Sequence, residues 1–312
     1  MNIVVEPYHW IVFTCVISVI LFTDLWLSYV RPHSIGMKEA LLTSAGWISL
    51  ALLFNIWIYY ELGKETAMLF LTGYLLEESL SVDNLFIFLL IFSHFRPPEN
   101  TKHKILFYGI LSAIVMRGLM IMGGIALINQ FQWIFYVFGI FLIYSGIKLA
   151  IQKEDETVEL EKNTIYRWIS SWLPMTHKYH DGNFIIKSGG RWIGTPLLLI
   201  LVLIEITDLI FALDSVPAIL GITTQPFIVY TSNIFAILGL RSLFFVLEGS
   251  MQRFYLLHYA LSLILIFIGT KMLLAHWIEI PISITFTVLL TLLGTALLGS
   301  FLFPKKKTSK HT

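Results

Sequence analysis

Two short segments carry the residues best equipped to do chemistry. One reads Glu77-Glu78-Ser79-Leu80-Ser81-Val82-Asp83-Asn84, the other Asp208-Leu209-Ile210-Phe211-Ala212-Leu213-Asp214-Ser215. Both run acid, five residues, aspartate, then a small polar side chain. Both lie inside apolar stretches, where an ionised carboxylate is costly unless it is paired or hydrated. Carboxylate, amide and hydroxyl oxygens suit the hard cations Mg²⁺, Ca²⁺ and Mn²⁺, whereas Zn²⁺ and copper favour His or Cys. The candidate metal-contacting residues are therefore Glu77, Asp83, Asn84, Asp208, Asp214 and Ser215, and the residues alone leave the choice among the three ions open. His94, His103, His177, His180, His258 and His276 fall in loops or near the ends of apolar runs and read as solvated or interfacial side chains.

The elements that must position these residues are helices, and most of them are too apolar for a water-soluble domain. Of 312 residues 57% are hydrophobic and only 13% charged, against roughly 25% charge in ordinary soluble chains. A net charge of +1 gives no reason to expect a nucleic-acid partner, and the single cysteine, Cys15, allows no internal disulfide or thiolate cluster. Apolar runs of spanning length predict an all-α membrane protein with nine transmembrane helices at 9–30, 39–60, 66–93, 105–128, 131–151, 196–220, 226–248, 256–275 and 281–303. The first run reads as a retained helix and not a cleaved leader. With the N-terminus outside, sixteen lysines and arginines fall in cytoplasmic segments and Lys64 alone falls outside, which predicts an N-out, C-in orientation.

The organisation expected from these spans is two accessory helices in 1–65, a three-helix repeat in 66–151, a cytoplasmic loop in 152–195, a second three-helix repeat in 196–275, and a last helix with a basic cytoplasmic tail in 276–312. Within the loop, Asp181-Gly182 and Gly189-Gly190 point to a small hairpin. The two acid segments open the two repeats. In the following spans Met116-Arg117-Gly118-Leu119 lines up with Leu240-Arg241-Ser242-Leu243, and Tyr136, Gly146 and Lys148 match Tyr259, Gly269 and Lys271 at identical separations. Because three helices is an odd number, the second copy enters the bilayer from the opposite side. That is the inverted-repeat plan of secondary transporters, with a substrate site expected near the midplane where the repeats meet.

Helix geometry refines the expectation. Glu77 and Asn84, like Asp208 and Ser215, are seven apart and share a face, while Asp83 and Asp214 sit about a third of a turn round the cylinder. Pro217 cannot bond to the carbonyl of Leu213 and offers a way to loosen the helix beside Asp214. Asp24, Glu77, Glu78, Asp83, Glu205, Asp208 and Asp214 lie within spans against Arg117, Lys148, Arg241 and Lys271, so a bound cation or proton would relieve an excess of negative charge. The two arginines read as partners of carboxylates from neighbouring helices, the two lysines as paired or snorkelling groups, and Glu78 and Glu205 as supporting acids.

The Glu-x5-Asp-Asn motif at 77–84, the segments 207–218 and 233–243, and His-Asp-Gly-Asn-Phe ahead of Gly-Thr-Pro-Leu resemble the TerC family of integral membrane proteins, its Alx-type branch in particular, over residues 8–303. The resemblance implies a bacterial-type inner-membrane protein that exports Mn²⁺ from the cytoplasm, with Glu77, Asp83, Asp208 and Asp214 as the functional acids. Mn²⁺ would be substrate, with no permanently bound cofactor, and protons the natural counter-ion, since like charges packed together without metal favour protonation. No His-Glu-x-x-His or Gly-x-Ser-x-Gly pattern is present, so the chain does not read as an enzyme. The alternative from another class is a membrane scaffold or metallochaperone that supplies Mn²⁺ to exported proteins or assists their insertion.

Overall fold

The computed structural model describes residues 5–30, 36–131, 133–151, 176, 179–180, 182–188, 191–248, 256–275, 277–278 and 280–302. Helices dominate: α1 (Pro7–Val30), α2 (Met37–Phe95), α3 (Glu99–Gln130), α4 (Ile134–Ile151), α5 (Pro196–Leu220), α6 (Pro226–Glu248), α7 (Leu257–Leu274) and α8 (Ile282–Leu302). The long α2 is two helices joined at Gly63, whose φ of 88° breaks the helical backbone. A Cβ there would touch nothing, so the left-handed φ alone is what favours glycine. Counting α2 as two, every expected span corresponds to a helix among the described residues.

Among the described residues, six helical stretches are long and apolar enough to cross a membrane: Met37–Ser81, Thr101–Gln130, Ile134–Ile151, Pro196–Leu220, Pro226–Glu248 and Ile282–Ser300. Pro7–Thr23 and Tyr259–Leu274 are apolar but shorter. Leu, Ile, Val, Phe and Met side chains cover the outer surfaces, among them Phe22, Leu42 and Met122. In water this surface would aggregate; in a bilayer it is the lipid face.

The centre of the bundle is α6, apolar nearly all round and buried along almost its whole length, polar Thr231, Ser232, Asn233, Arg241 and Ser242 included. It packs against α2 and α3, while α5 packs against the same two helices and α4 against α7. Phe13 of α1 and Phe54 of α2 lie against Phe227 and Phe235 of α6, which fastens the first two helices to the bundle.

Helices α4 and α7 cross antiparallel at very close range. A Cβ on Gly269 would sit 2.5 Å from the Gly139 carbonyl oxygen and 2.9 Å from Ile143 Cγ1; one on Gly146 would sit 2.8 Å from the Ser262 carbonyl oxygen and 2.7 Å from Ile266 Cγ1. Ser262 Oγ also donates to the Gly146 carbonyl at 2.6 Å. The missing side chains let the two backbones approach, as small residues do between membrane helices.

The expected hairpin is present as β1 (Ile185–Ser188) paired antiparallel with β2 (Arg191–Gly194) in the register Ser188↔Arg191 to Ile185↔Gly194. The strands pair across residues 189–190; Gly182, with φ +74°, belongs to a separate turn ahead of β1. Lys104 donates to the Gly182 carbonyl at 2.7 Å, Tyr179 donates to the Phe95 carbonyl at 2.6 Å, and Phe184 rests edge-on against Tyr108. These contacts dock the hairpin on the end of α2 and the start of α3. Residues 152–175 of the expected loop, and the basic tail from 303, lie outside the described residues.

Candidate functional site

An arginine joins the two acid segments. Arg117, near the middle of α3, is fully buried. Its Nη1 is paired with the Glu77 carboxylate on α2, and its Nη2 lies 3.2 Å from Asp208 Oδ1 on α5. Nη1 also donates to Asn233 Oδ1 of α6 at 3.1 Å and to Ser215 Oγ of α5 at 3.3 Å. Asn233 closes the ring by donating its Nδ2 to Glu77 Oε2 at 3.0 Å. Three helices thus converge on the guanidinium of a fourth through oxygen atoms alone: two carboxylates, an amide carbonyl and a hydroxyl. A planar fork of donors is well suited to bridging two carboxylates in this way.

Asp208 and Ser215, seven apart, both reach Arg117, as their shared helical face requires. Asp214 does not join them. Helix α5 continues through Pro217 to Leu220, and Asp214, half-buried, turns to α4, where Ser145 Oγ donates to its Oδ1 at 2.7 Å. The loosening that Pro217 allows therefore does not swing Asp214 toward Asp208 in this structure. Asn84 is buried on α2 but is not among the groups on Arg117. The side chains of Asp83 and Asp24 lie outside the described residues. Among the described residues, no three His, Cys, Asp or Glu side chains gather as a ready metal cluster. The physical reason is visible: Glu77 and Asp208 are held by a guanidinium, and Asp214 points elsewhere.

The supporting residues divide. The carboxylate of Glu78 rests over Gly239 of α6, where a Cβ would come within 3.5 Å of Oε1, and that of Glu205 rests over Gly109 of α3, where a Cβ would come within 3.6 Å. Glycine at these two places leaves room for an acid from a neighbouring helix. Arg241 is buried and shares with Asp208 a small cavity of about 20 Å³, whose other walls include Leu85, Phe88, Gly109, Ala113 and Ile204. Lys148 is exposed in the last turn of α4, whereas Lys271 of α7 turns to α8 and donates to Thr285 Oγ1 at 3.2 Å.

Two residues of the site were not singled out from the sequence, Asn233 and Ser145. The signal for Asn233 was available, because an amide within an apolar span needs a partner. A serine such as Ser145 is common in membrane helices and gave no such signal.

Comparison with known proteins bears on the whole chain. The profile of the integral membrane protein TerC family matches residues 62–308. An uncharacterized membrane protein of Myxococcus xanthus is 43% identical over 297 residues, covering 95% of this chain and 93% of the relative. Proteins named Alx and described as candidate membrane-bound redox modulators are 45% identical in Salmonella typhi, with 95% of each chain covered, and 44% identical in Escherichia coli K12, with 94% of each covered. No solved structure matches the chain.

Proposed function

We propose that this chain, which belongs to the TerC family of integral membrane proteins, carries a divalent cation across the bacterial inner membrane. The proposed substrate is Mn²⁺, moved out of the cytoplasm, possession of the outward direction resting on the family resemblance. One observation carries the reading: acids from two separate segments, Glu77 and Asp208, meet in the buried middle of the bundle on a shared cation, Arg117. Purely structural membrane helices seldom need two carboxylates facing one guanidinium, because each buried charge must be compensated.

The packing supports an inverted-repeat arrangement for this carrier. Gly139, Ile143 and Gly146 of α4 match Ser262, Ile266 and Gly269 of α7, each pair 123 positions apart. The Gly139–Gly269 approach then has Gly146–Ser262 as its mate, and Gly269–Ile143 has Gly146–Ile266. Contacts that survive exchange of the two copies are those of a two-fold axis through the crossing. The pairing of α2 with α6 and of α3 with α5 follows the same exchange. On this plan a rocking motion of one repeat against the other exposes the carboxylates first to one side and then to the other, and protons are the proposed counter-ion. The redox description carried by the relatives is compatible with export of a redox-active cation, and with one cysteine the chain has no internal dithiol for such a role.

The test is Mn²⁺ flux in proteoliposomes, with and without an imposed pH gradient, for wild type, Glu77→Gln and Asp208→Asn at matched protein levels. Flux in the wild type, reduced at least tenfold in both variants, is expected. Equal flux in all three would remove the paired acids from the pathway, and indifference to the pH gradient would remove the proton.

A further inference from the structure

A guanidinium held by four oxygen ligands occupies the very place where a divalent cation would find its donors. The set around Arg117 comprises the carboxylates of Glu77 and Asp208, the Asn233 carbonyl at 3.1 Å and the Ser215 hydroxyl at 3.3 Å. It is an oxygen-only set of the kind that hard divalent ions take. It also brings two negative charges to one positive charge, so a dication could balance both carboxylates where the guanidinium balances one.

We propose that Arg117 is a tethered counter-ion, which holds the Glu77 and Asp208 carboxylates between transport events and is displaced from them by the divalent cation during each one. This rests on the cation-carrier reading above. Three features of the site bear on it. The guanidinium is attached to α3, whereas its ligands stand on α2, α5 and α6, so its departure requires no ligand to leave its own helix. Its Nε has no hydrogen-bond partner among the described residues, so the head is held through its two terminal nitrogens only. Asp208 also borders, with Arg241, Gly109 and Ala113, a small and mostly apolar cavity of about 20 Å³, so there is unfilled space beside this carboxylate in the buried site.

The consequence is an exchange between an internal and an external cation. With the ion gone, Arg117 returns, and the empty carrier does not have to cycle with two unmatched carboxylates buried in the bundle, a state that low dielectric penalises heavily. Arg117 also sets the affinity: every ion bound must compete with a ligand that never diffuses away. A residue that served only to tie helices together would, on removal, loosen the site and weaken metal binding. A tethered competitor would, on removal, tighten it.

The experiment measures Mn²⁺ binding to full-length protein in detergent, from the electron paramagnetic resonance signal of free Mn²⁺, alongside Mn²⁺ flux in proteoliposomes. Arg117→Gln should bind Mn²⁺ at least tenfold tighter than wild type and carry it at least tenfold more slowly. Arg117→Lys keeps the charge but cannot bridge both carboxylates, and should bind Mn²⁺ a few-fold tighter, with a flux between that of wild type and that of Arg117→Gln. If the glutamine variant does not remain monodisperse, the lysine variant decides on the same readout. Unchanged or weaker binding in the folded variant, with wild-type flux intact, overturns the tethered counter-ion and leaves the carrier reading standing. No Mn²⁺ binding and no flux in either wild type or variants overturns both.

Discussion

Replacing Gly269 by alanine places a methyl group 2.5 Å from the Gly139 carbonyl oxygen and 3.0 Å from the Ile143 backbone nitrogen. Neither is the end of a flexible side chain, so α4 and α7 must separate by the better part of an ångström to reach an ordinary carbon–oxygen contact of about 3.3 Å. Overpacking of this kind costs about 1–3 kcal/mol, and the better helix propensity of alanine returns up to about 1 kcal/mol. The net loss expected is about 1–2 kcal/mol, read as a Tm lower by about 2–6 °C in detergent. Gly146→Ala should do at least as much, because its methyl meets the Ser262 carbonyl oxygen at 2.8 Å and the separation stretches the 2.6 Å bond from Ser262. Gly294→Ala on α8, where a Cβ meets nothing within 4 Å, is the control and should be neutral or slightly stabilising. Equal Tm values for all three variants would refute the close crossing, and the inverted-repeat arrangement would lose the axis on which it is argued.

The other predictions concern Asp214 and the docked hairpin. Ser145→Ala removes the 2.7 Å donor from half-buried Asp214 and should cost about 1–2 kcal/mol, measured as a lower Tm; no change would mean that water serves Asp214 equally well. Tyr179→Phe removes the 2.6 Å bond to the Phe95 carbonyl and should raise amide exchange in 182–194 by about fivefold, which corresponds to about 1 kcal/mol; unchanged exchange would mean that Phe184 and Lys104 hold the hairpin alone. Burial raises the Tyr179 phenol above its ordinary value of 10.0. A raised value in the folded chain means that this contact contributes fully below about pH 10 and is lost only as pH climbs through the higher folded value, so hairpin protection should stay flat from neutrality to about pH 10.

Much of the architecture was legible because bilayers impose a simple rule: a run long and apolar enough to span must be a helix, since no other local structure satisfies its backbone there. The break at Gly63 fell between two such runs, and a hairpin does follow Asp181-Gly182, although Gly182 lies in a turn ahead of β1 and not between the paired strands. The site was legible in part for an equally physical reason. Seven-residue spacing puts Asp208 and Ser215 on one face, and both do meet Arg117, while six-residue spacing turns Asp214 to another helix. Sequence spacing gives the direction of a side chain round its own helix but not the neighbour it meets. That is why Asn233 and Ser145, which come from other helices, escaped a reading built on the acid segments. The excess of intramembrane carboxylate over base was also visible in the sequence, yet it could not say which acids were already compensated. The structure assigns Arg117 to two of them at once. A site that looked like an open set of ligands is therefore one already filled by the chain itself, and on the proposed carrier reading an ion must first win a competition with a cation that the protein supplies.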